Sequence, residues 1–436
     1  MRKILHAAVP VALAIVATTA NADDGSATLY GILDTAIANI AHGLNFDDNH
    51  PVANNPNVTK GTQAVTGMLN GGMSATRWGM KGDEDLGAGF KAVFLLEQGF
   101  NVGSGNVSNA VRSLANNSAS GPGMSADSAI SGQFFNRGAY AGLSSATWGT
   151  LTAGRHQSFF LDNIASFDPM MGSQAFSPIG FSGTYGGGGA TDDSRVDNSL
   201  KYKIAAGDFT LGALYKFGGI AGISTAATAY ELNAVYASGP LSVQLGYQGF
   251  KDAFAISNAA GGGTVKATAQ DTHSYMAAAK YVWDKLTVRG GYEREEYLNP
   301  SHPTYDATVS SLFGTPLAGT PSVTAFPSQK NLDVYWLGGG YSFTAAFTLL
   351  LGGYHVKQND YDTAGCSNRT QLSRCSGSLN YESLVGDYNL SKRTDLYGGV
   401  MLSTVSGGPA AAVANTAPTP SENSNRIVAL GLRHRF

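Results

Sequence analysis

Apolar and polar side chains alternate along this chain in segments of about ten residues, each closed by a turn or a glycine-rich loop. In Asp208 to Phe217, the side chains of Phe209, Leu211, Ala213, Tyr215 and Phe217 fall on one face, and Thr210, Gly212 and Lys216 fall mostly on the other. The stretch Asn425 to Phe436 repeats the pattern: Val428, Leu430, Leu432 and Phe436 alternate with Ala429, Gly431, Arg433 and Arg435. A period of two marks a strand with one apolar and one wet face. About ten such residues let a tilted strand cross a bilayer. Repetition of this unit predicts an all-β membrane barrel rather than a soluble core.

The connections are of two kinds. Tight turns fall at Asp85–Gly89, Ser144–Trp148, Ala206–Gly207, Ser238–Pro240, Trp283–Lys285, Thr344–Ala346 and Ser391–Arg393. Long tracts rich in Gly, Asn, Ser, Pro and Thr lie around 41–72, 102–131, 161–194, 219–227, 252–270, 298–330, 359–377 and 406–424. Seven turns strictly alternating with eight loops predict 16 antiparallel strands with every long loop at one end. Outer-membrane barrels have that asymmetry, with short periplasmic turns and long outer loops. Reading the tracts as interdomain linkers fails, because strands of one type continue on both sides of each.

Composition then makes sense. Only 43% of residues are hydrophobic, which alone would suit a soluble protein, but in a barrel only alternate residues face lipid. The 56 glycines serve turns and crowded walls, and the 20 tyrosines and 20 phenylalanines supply interfacial girdles. The most apolar stretch beyond the start of the chain, Tyr341 to Tyr354, is too short for a helical span and is broken by Gly352 and Gly353.

Residues 1–22 read as a secretory signal. Arg2 and Lys3 give the positive start, Ala7 to Thr19 the apolar region, and Ala20-Asn21-Ala22 the cleavage site. The apolar region is too short to be a helical anchor. The barrel is expected over 23–436. Lys and Arg total 28 against 31 Asp and Glu, so no nucleic-acid footprint is expected. Cys366 and Cys375, in a secreted context, read as a disulfide rather than as free thiols or a metal pair. The loop it closes would add roughly 2–3 kcal/mol.

Several local sequences, taken in order, are more specific. They are Thr28-Leu29-Tyr30-Gly31-Ile32-Leu33-Asp34, the run from Ser74 through Arg77-Trp78-Gly79 to Gly87, Phe135-Asn136-Arg137-Gly138 through Leu143, Gly149 to Arg155, Ser391 to Tyr397, and Gly431-Leu432-Arg433-His434-Arg435-Phe436. Together they resemble the general diffusion porins of Gram-negative bacteria, in particular the beta-proteobacterial branch. The resemblance implies a homotrimer in the outer membrane, in contact with lipopolysaccharide. It also implies a third loop folded into the lumen as a constriction, with wall arginines facing loop acids. Arg77, Arg137 and Arg195 match wall positions, and Arg155 is a further candidate. Parity in the sixth strand places Val196, Leu200, Tyr202 and Ile204 on one face, which would turn Arg195, Asp197, Lys201 and Lys203 into the lumen. Enteric members carry Pro-Glu-Phe-Gly in the third loop. This chain has Asp168-Pro169-Met170-Met171-Gly172, with Met170 at the glutamate position, leaving Asp168 and Asp162 as the loop's acids. Phe436 matches the family's insertion signal for the barrel-assembly machinery, with His434 a departure from the usual apolar register.

Catalytic chemistry is not legible. The histidines beyond the leader (His42, His50, His156, His273, His302, His355 and His434) sit in no nucleophile motif and at no metal-ligand spacing. The expectation is a non-enzymatic channel without cofactor or metal, passing ions and small hydrophilic solutes by diffusion. A substrate-specific channel or an adhesin is the alternative. A sugar channel would want an aromatic slide along the lumen, whereas the aromatics here fall mainly on the lipid-facing parity.

Overall fold

The computed structural model describes residues 25–41, 64–103, 105, 134–179, 195–219, 221–252, 271–302, 311–312, 315–316, 326–363, 365–366, 374–409 and 424–436. The leader expected over 1–22 lies outside them. Seventeen strands make one antiparallel sheet that closes on itself. They are β1 (Ser26–Ile40), β2 (Val65–Asn70), β3 (Arg77–Gly87), β4 (Phe90–Gly99), β5 (Gly138–Ser145), β6 (Gly149–Gln157), β7 (Arg195–Ala206), β8 (Phe209–Lys216), β9 (Ala229–Ser238), β10 (Leu241–Phe250), β11 (Asp271–Trp283) and β12 (Leu286–Leu298). After a two-residue hairpin, β13 (Ser311–Leu312) with β14 (Thr315–Pro316), come β15 (Lys330–Ser342), β16 (Phe347–Gln358), β17 (Gly377–Asn389), β18 (Thr394–Gly407) and β19 (Ser424–Arg435). A helix, α1 (Phe159–Phe167), lies between β6 and β7.

The sixteen expected staves are present, the second made of two strands. β2 pairs with Thr35–Ile40 and β3 with Ser26–Ile32 of β1. The first long loop is therefore shorter than the sequence suggests, since Val65–Asn70 is strand. Between β2 and β3, residues 71–76 leave the ladder, and the Asp34 carboxylate accepts the backbone N–H of Gly72 (2.9 Å), Met73 (3.1 Å) and Ser74 (2.7 Å). On its other edge β1 closes the barrel against β19, from Ile32–Arg435 to Ile40–Ile427. Closure joins the first stave to the last, so neither is left as a free edge.

The barrel is apolar outside. On β8, Phe209, Leu211 and Tyr215 are exposed while Leu214 points inward, and on β19 Val428, Leu430 and Leu432 are exposed while Ile427, Ala429 and Arg433 are buried. The Phe436 ring lies over Gly31 so closely that a Cβ there would sit 2.4 Å from it. His434 shares the outward row with Leu33 and bonds Thr394 Oγ1 through Nδ1 at 2.9 Å. Cys366 and Cys375 are joined by a disulfide in the loop after β16.

Candidate pore constriction

α1 begins as soon as β6 ends. Ser158 caps it, its Oγ accepting from Leu161 N at 3.1 Å, and the Glu231 carboxylate of β9 accepts from Phe159 N at 2.7 Å. Phe160, Ile164 and Phe167, spaced four and three residues apart, form one buried face, while Asp162, Ala165 and Ser166 stay exposed to the lumen. The buried face joins Met276, Ala278, Trp336, Leu350 and Tyr354 in one apolar cluster. Glycines make room for it: a Cβ on Gly246 would sit 2.3 Å from the Phe160 ring, and one on Gly212 would sit 2.3 Å from Phe159.

Polar ties fix the segment along its length. Trp336 Nε1 donates to Phe167 O (3.0 Å), Arg289 Nε to Ser166 O (3.1 Å), and Ser383 Oγ to Phe176 O (2.7 Å). Ala175 N and Ser173 Oγ both reach Gly72 O in the break of the second stave, at 2.9 and 2.7 Å. As far as Ile179, the third loop is thus folded inward and fastened to β9–β17 and to residues 71–76.

The open part of the lumen lies across α1, along β1 and β3–β7. A cavity of about 650 Å³ there is lined by Arg77, Lys81, Arg137, Lys201 and Lys203 and by the acids Asp83, Glu97 and Asp162. Glu97 is its hub. Arg137 Nε donates to Glu97 Oε1 at 2.7 Å, Arg77 Nε lies 3.5 Å from Oε2, and Tyr30 OH donates to Oε2 at 2.8 Å. Across from it, Lys201 Nζ meets Asp162 Oδ2 at 2.5 Å and Gln157 O at 2.7 Å.

The structure therefore brings together Arg77, Arg137 and Asp162 of the residues singled out in the sequence, and separates the other three. Arg155 occupies the outward row of β6 with Leu151 and Ala153, opposite Ala139. Its guanidinium is bound to Asn136 O (2.8 and 2.6 Å) and to Asp197 Oδ1 (2.5 Å). Arg195 is buried, pairs with Gln157, and does not line the cavity. Parity misplaces it because two residues of β7, Asp197 and Asn198 (φ 52°), face the single residue Arg155. This bulge reverses the inward–outward count between Val196 and Leu200. Lys201 and Lys203, beyond the bulge, do reach the lumen as expected.

Asp168, expected as an acid of the constriction, also lies away from the cavity. It is fully buried at the C-terminal end of α1. Its carboxylate accepts from Tyr354 OH (2.6 Å), Gly172 N (2.7 Å) and Met170 N (3.3 Å). Burial raises its pKa above the ordinary carboxyl value despite these donors. Met170 is buried in the same apolar cluster. Glu97 was missed in the sequence because it ends the run Ala92-Val93-Phe94-Leu95-Leu96, whose lumenal positions Val93 and Leu95 are apolar too, so no alternation shows.

A closed sheet with an apolar exterior, a charged lumen and one loop folded inside defines a diffusion channel of the outer membrane. The family model for Gram-negative porins matches residues 7–408, and the chain belongs to that family. An outer membrane porin protein of Bordetella pertussis is 29% identical over 459 aligned positions, with all of both chains covered. Outer membrane porin protein 32 of Delftia acidovorans is 28% identical over 54% of this chain and 58% of its own. Among solved structures, an anion-selective porin from Comamonas acidovorans superposes with a TM-score of 0.61 at 21% identity, covering 95% of this chain and all of its own. A trimer form of OmpT from Vibrio cholerae gives 0.55 at 15% identity, covering 95% of this chain and all of its own. The protein is a general porin of the outer membrane.

Proposed function

We propose that Arg77, Arg137, Glu97, Asp162 and Lys201 set the field at the narrow part of this porin and give it a weak preference for anions. The observation that carries this reading is the charge of the open side of the lumen, where five cationic side chains line the cavity against three acids. Arg77 and Arg137 share one carboxylate, so that cluster keeps one net positive charge. Low-dielectric walls strengthen fixed charges relative to bulk water, while salt near 0.1 M screens them over about 10 Å. Arg155, Arg195 and Asp168 are left out of the filter because each is buried away from this cavity. Reversal potentials across a planar bilayer in a salt gradient test the reading. A modest anion preference that fades as salt rises is expected, and a clear cation preference unchanged by Arg77→Ala or Arg137→Ala would overturn it.

The function proposed is passage without chemistry. The ring of His156, the histidine at this cavity, is held on both nitrogens, by Thr152 and Ser199 at 2.8 Å each, and stacks on Tyr140. At 1% exposure the residue offers neither nitrogen to a solute in the lumen. We further propose a homotrimer that contacts lipopolysaccharide and is inserted by the barrel-assembly machinery through the terminal strand and Phe436. An oligomer band that collapses to a monomer on boiling supports the assembly, and a compact monomer at every protein concentration opposes it. Phe436→Ala should lower the amount reaching the outer membrane, and normal levels at high expression would refute that role.

A further inference from the structure

Below the constriction, toward the tight turns, the same wall has a different character. One register row crosses four strands: Lys91 of β4 faces Ser144 of β5, Ser144 faces Thr150 of β6, and Thr150 faces Lys203 of β7. The Ser144 and Thr150 hydroxyls are 2.8 Å apart and hydrogen-bonded. Strands in a sheet lie about 4.8 Å apart, so the two lysines bracket this hydroxyl pair within reach of their side chains. Two rows up lies Lys81, in line with Leu95 and Tyr140.

The cations here are held differently from those above. Arg77, Arg137 and Lys201 each have an acid within 3.5 Å. Lys81 and Lys203 have no ion-pair partner among the described residues; Lys81 lies 5.4 Å over the Tyr30 ring, and Lys203 is exposed. Lys91 is tied to Asp83 at 2.7 Å, but both side chains are well exposed and such a pair in water is weak. Same-face positions on a strand recur about every 7 Å. Lys81 and Lys203 therefore flank β4–β6, two such steps apart, with the hydroxyl pair between their strands.

We propose that this row, with Lys81 above it, is a second station on the turn side of Arg77 and Arg137 that holds polyvalent oxyanions, with Lys203, Lys91 and Lys81 supplying charge and the Ser144–Thr150 pair, one of whose protons lies between the two oxygens, supplying a hydroxyl donor. A polyvalent anion engages several of these lysines at once, whereas chloride engages one. The station would let monovalent ions through and slow phosphate-like or polycarboxylate solutes. The inference rests on the channel reading above.

The test is block of chloride current by inorganic pyrophosphate in single channels of the refolded full barrel. Pyrophosphate added on the turn side should block at a lower concentration than on the loop side, because from there it meets the station before the constriction. The Lys81→Gln/Lys203→Gln double variant should need about tenfold more, and Lys81→Arg/Lys203→Arg should restore the block. Boiling-dependent gel migration shows whether each variant still forms the barrel. A wild-type channel indifferent to pyrophosphate, or one blocked identically in the double glutamine variant, overturns the station while leaving the channel intact. Absence of any conductance in the wild-type protein overturns the channel reading, and the station with it.

Discussion

The two inner walls of this barrel are built from the same alternation and do opposite work. Along β9–β17 the lumenal positions include Met276, Ala278, Trp336, Leu350 and Tyr354, and these lie under α1. Along β3–β7 they include Arg77, Lys81, Glu97, Thr152 and Lys201, which stay in contact with the open lumen. What separates the walls is whether an inserted segment covers them. A lumenal face that water reaches must be polar, while one that a helix covers can be apolar and add to stability as a core does. The inserted segment thus divides the lumen into a fastened half and a conducting half.

Substitutions should sort by wall. The largest effect is expected from Gly246→Val on the covered side, where new atoms must displace the fully buried Phe160 ring. Overpacking of this kind costs about 1–3 kcal/mol, and α1 should lift from the wall. Single-channel conductance should change markedly and the heat-denaturation midpoint should fall; an unaltered conductance would show that α1 does not set the opening. Tyr354→Phe comes next. It removes one donor from the buried Asp168 carboxylate, at a cost of about 1–3 kcal/mol. Because Asp168 is shut off from the lumen, thermal stability should drop with ion selectivity unchanged, and a selectivity shift would blur the division between the walls.

On the conducting side the expected effects are on selectivity. Glu97→Gln should strengthen anion preference and Arg137→Ala should weaken it, since they remove opposite charges from one cluster. Both shifts in reversal potential should be plain near 0.1 M salt and nearly vanish at 1 M, where screening acts within about 3 Å. Shifts of the same sign would mean that the cluster acts through shape. The smallest effect is expected from Cys366→Ser, which belongs to neither wall. Opening that loop forfeits roughly 2–3 kcal/mol locally. Limited proteolysis should cut near Tyr361 to Arg374 faster, with the barrel's heat transition in place.

The barrel itself was legible because its signals are local. Alternation in Asp208–Phe217 and Asn425–Phe436, turn residues between strands, and the contrast of loop lengths all survive without tertiary knowledge. The constriction was legible only in part. Arg77 and Arg137 were found by resemblance and lie where parity permits. Arg195 was misplaced because parity counts through a strand as if it were regular, and the bulge at Asp197–Asn198 carries no clear mark in the sequence. Asp168 looked like a pore acid because an aspartate at a loop tip usually meets water. Its burial depends on Tyr354, 186 residues away. Glu97 was hidden in an apolar run whose lumenal members face the conducting wall, a pattern that differs little from a buried strand.

The break in the second stave bears on the order of events during assembly. Residues 71–76 have no register partner on β1; Asp34 takes the N–H groups of Gly71 to Ser74, Phe100 N donates to Thr76 O, and Ala175 N and Ser173 Oγ of the inserted segment donate to Gly72 O. The Gly72 carbonyl gains these two protein donors only once the insert is home. Docking of the third loop and completion of the second stave should occur as one cooperative step, and late arrival of that loop should delay maturation of the barrel as a whole.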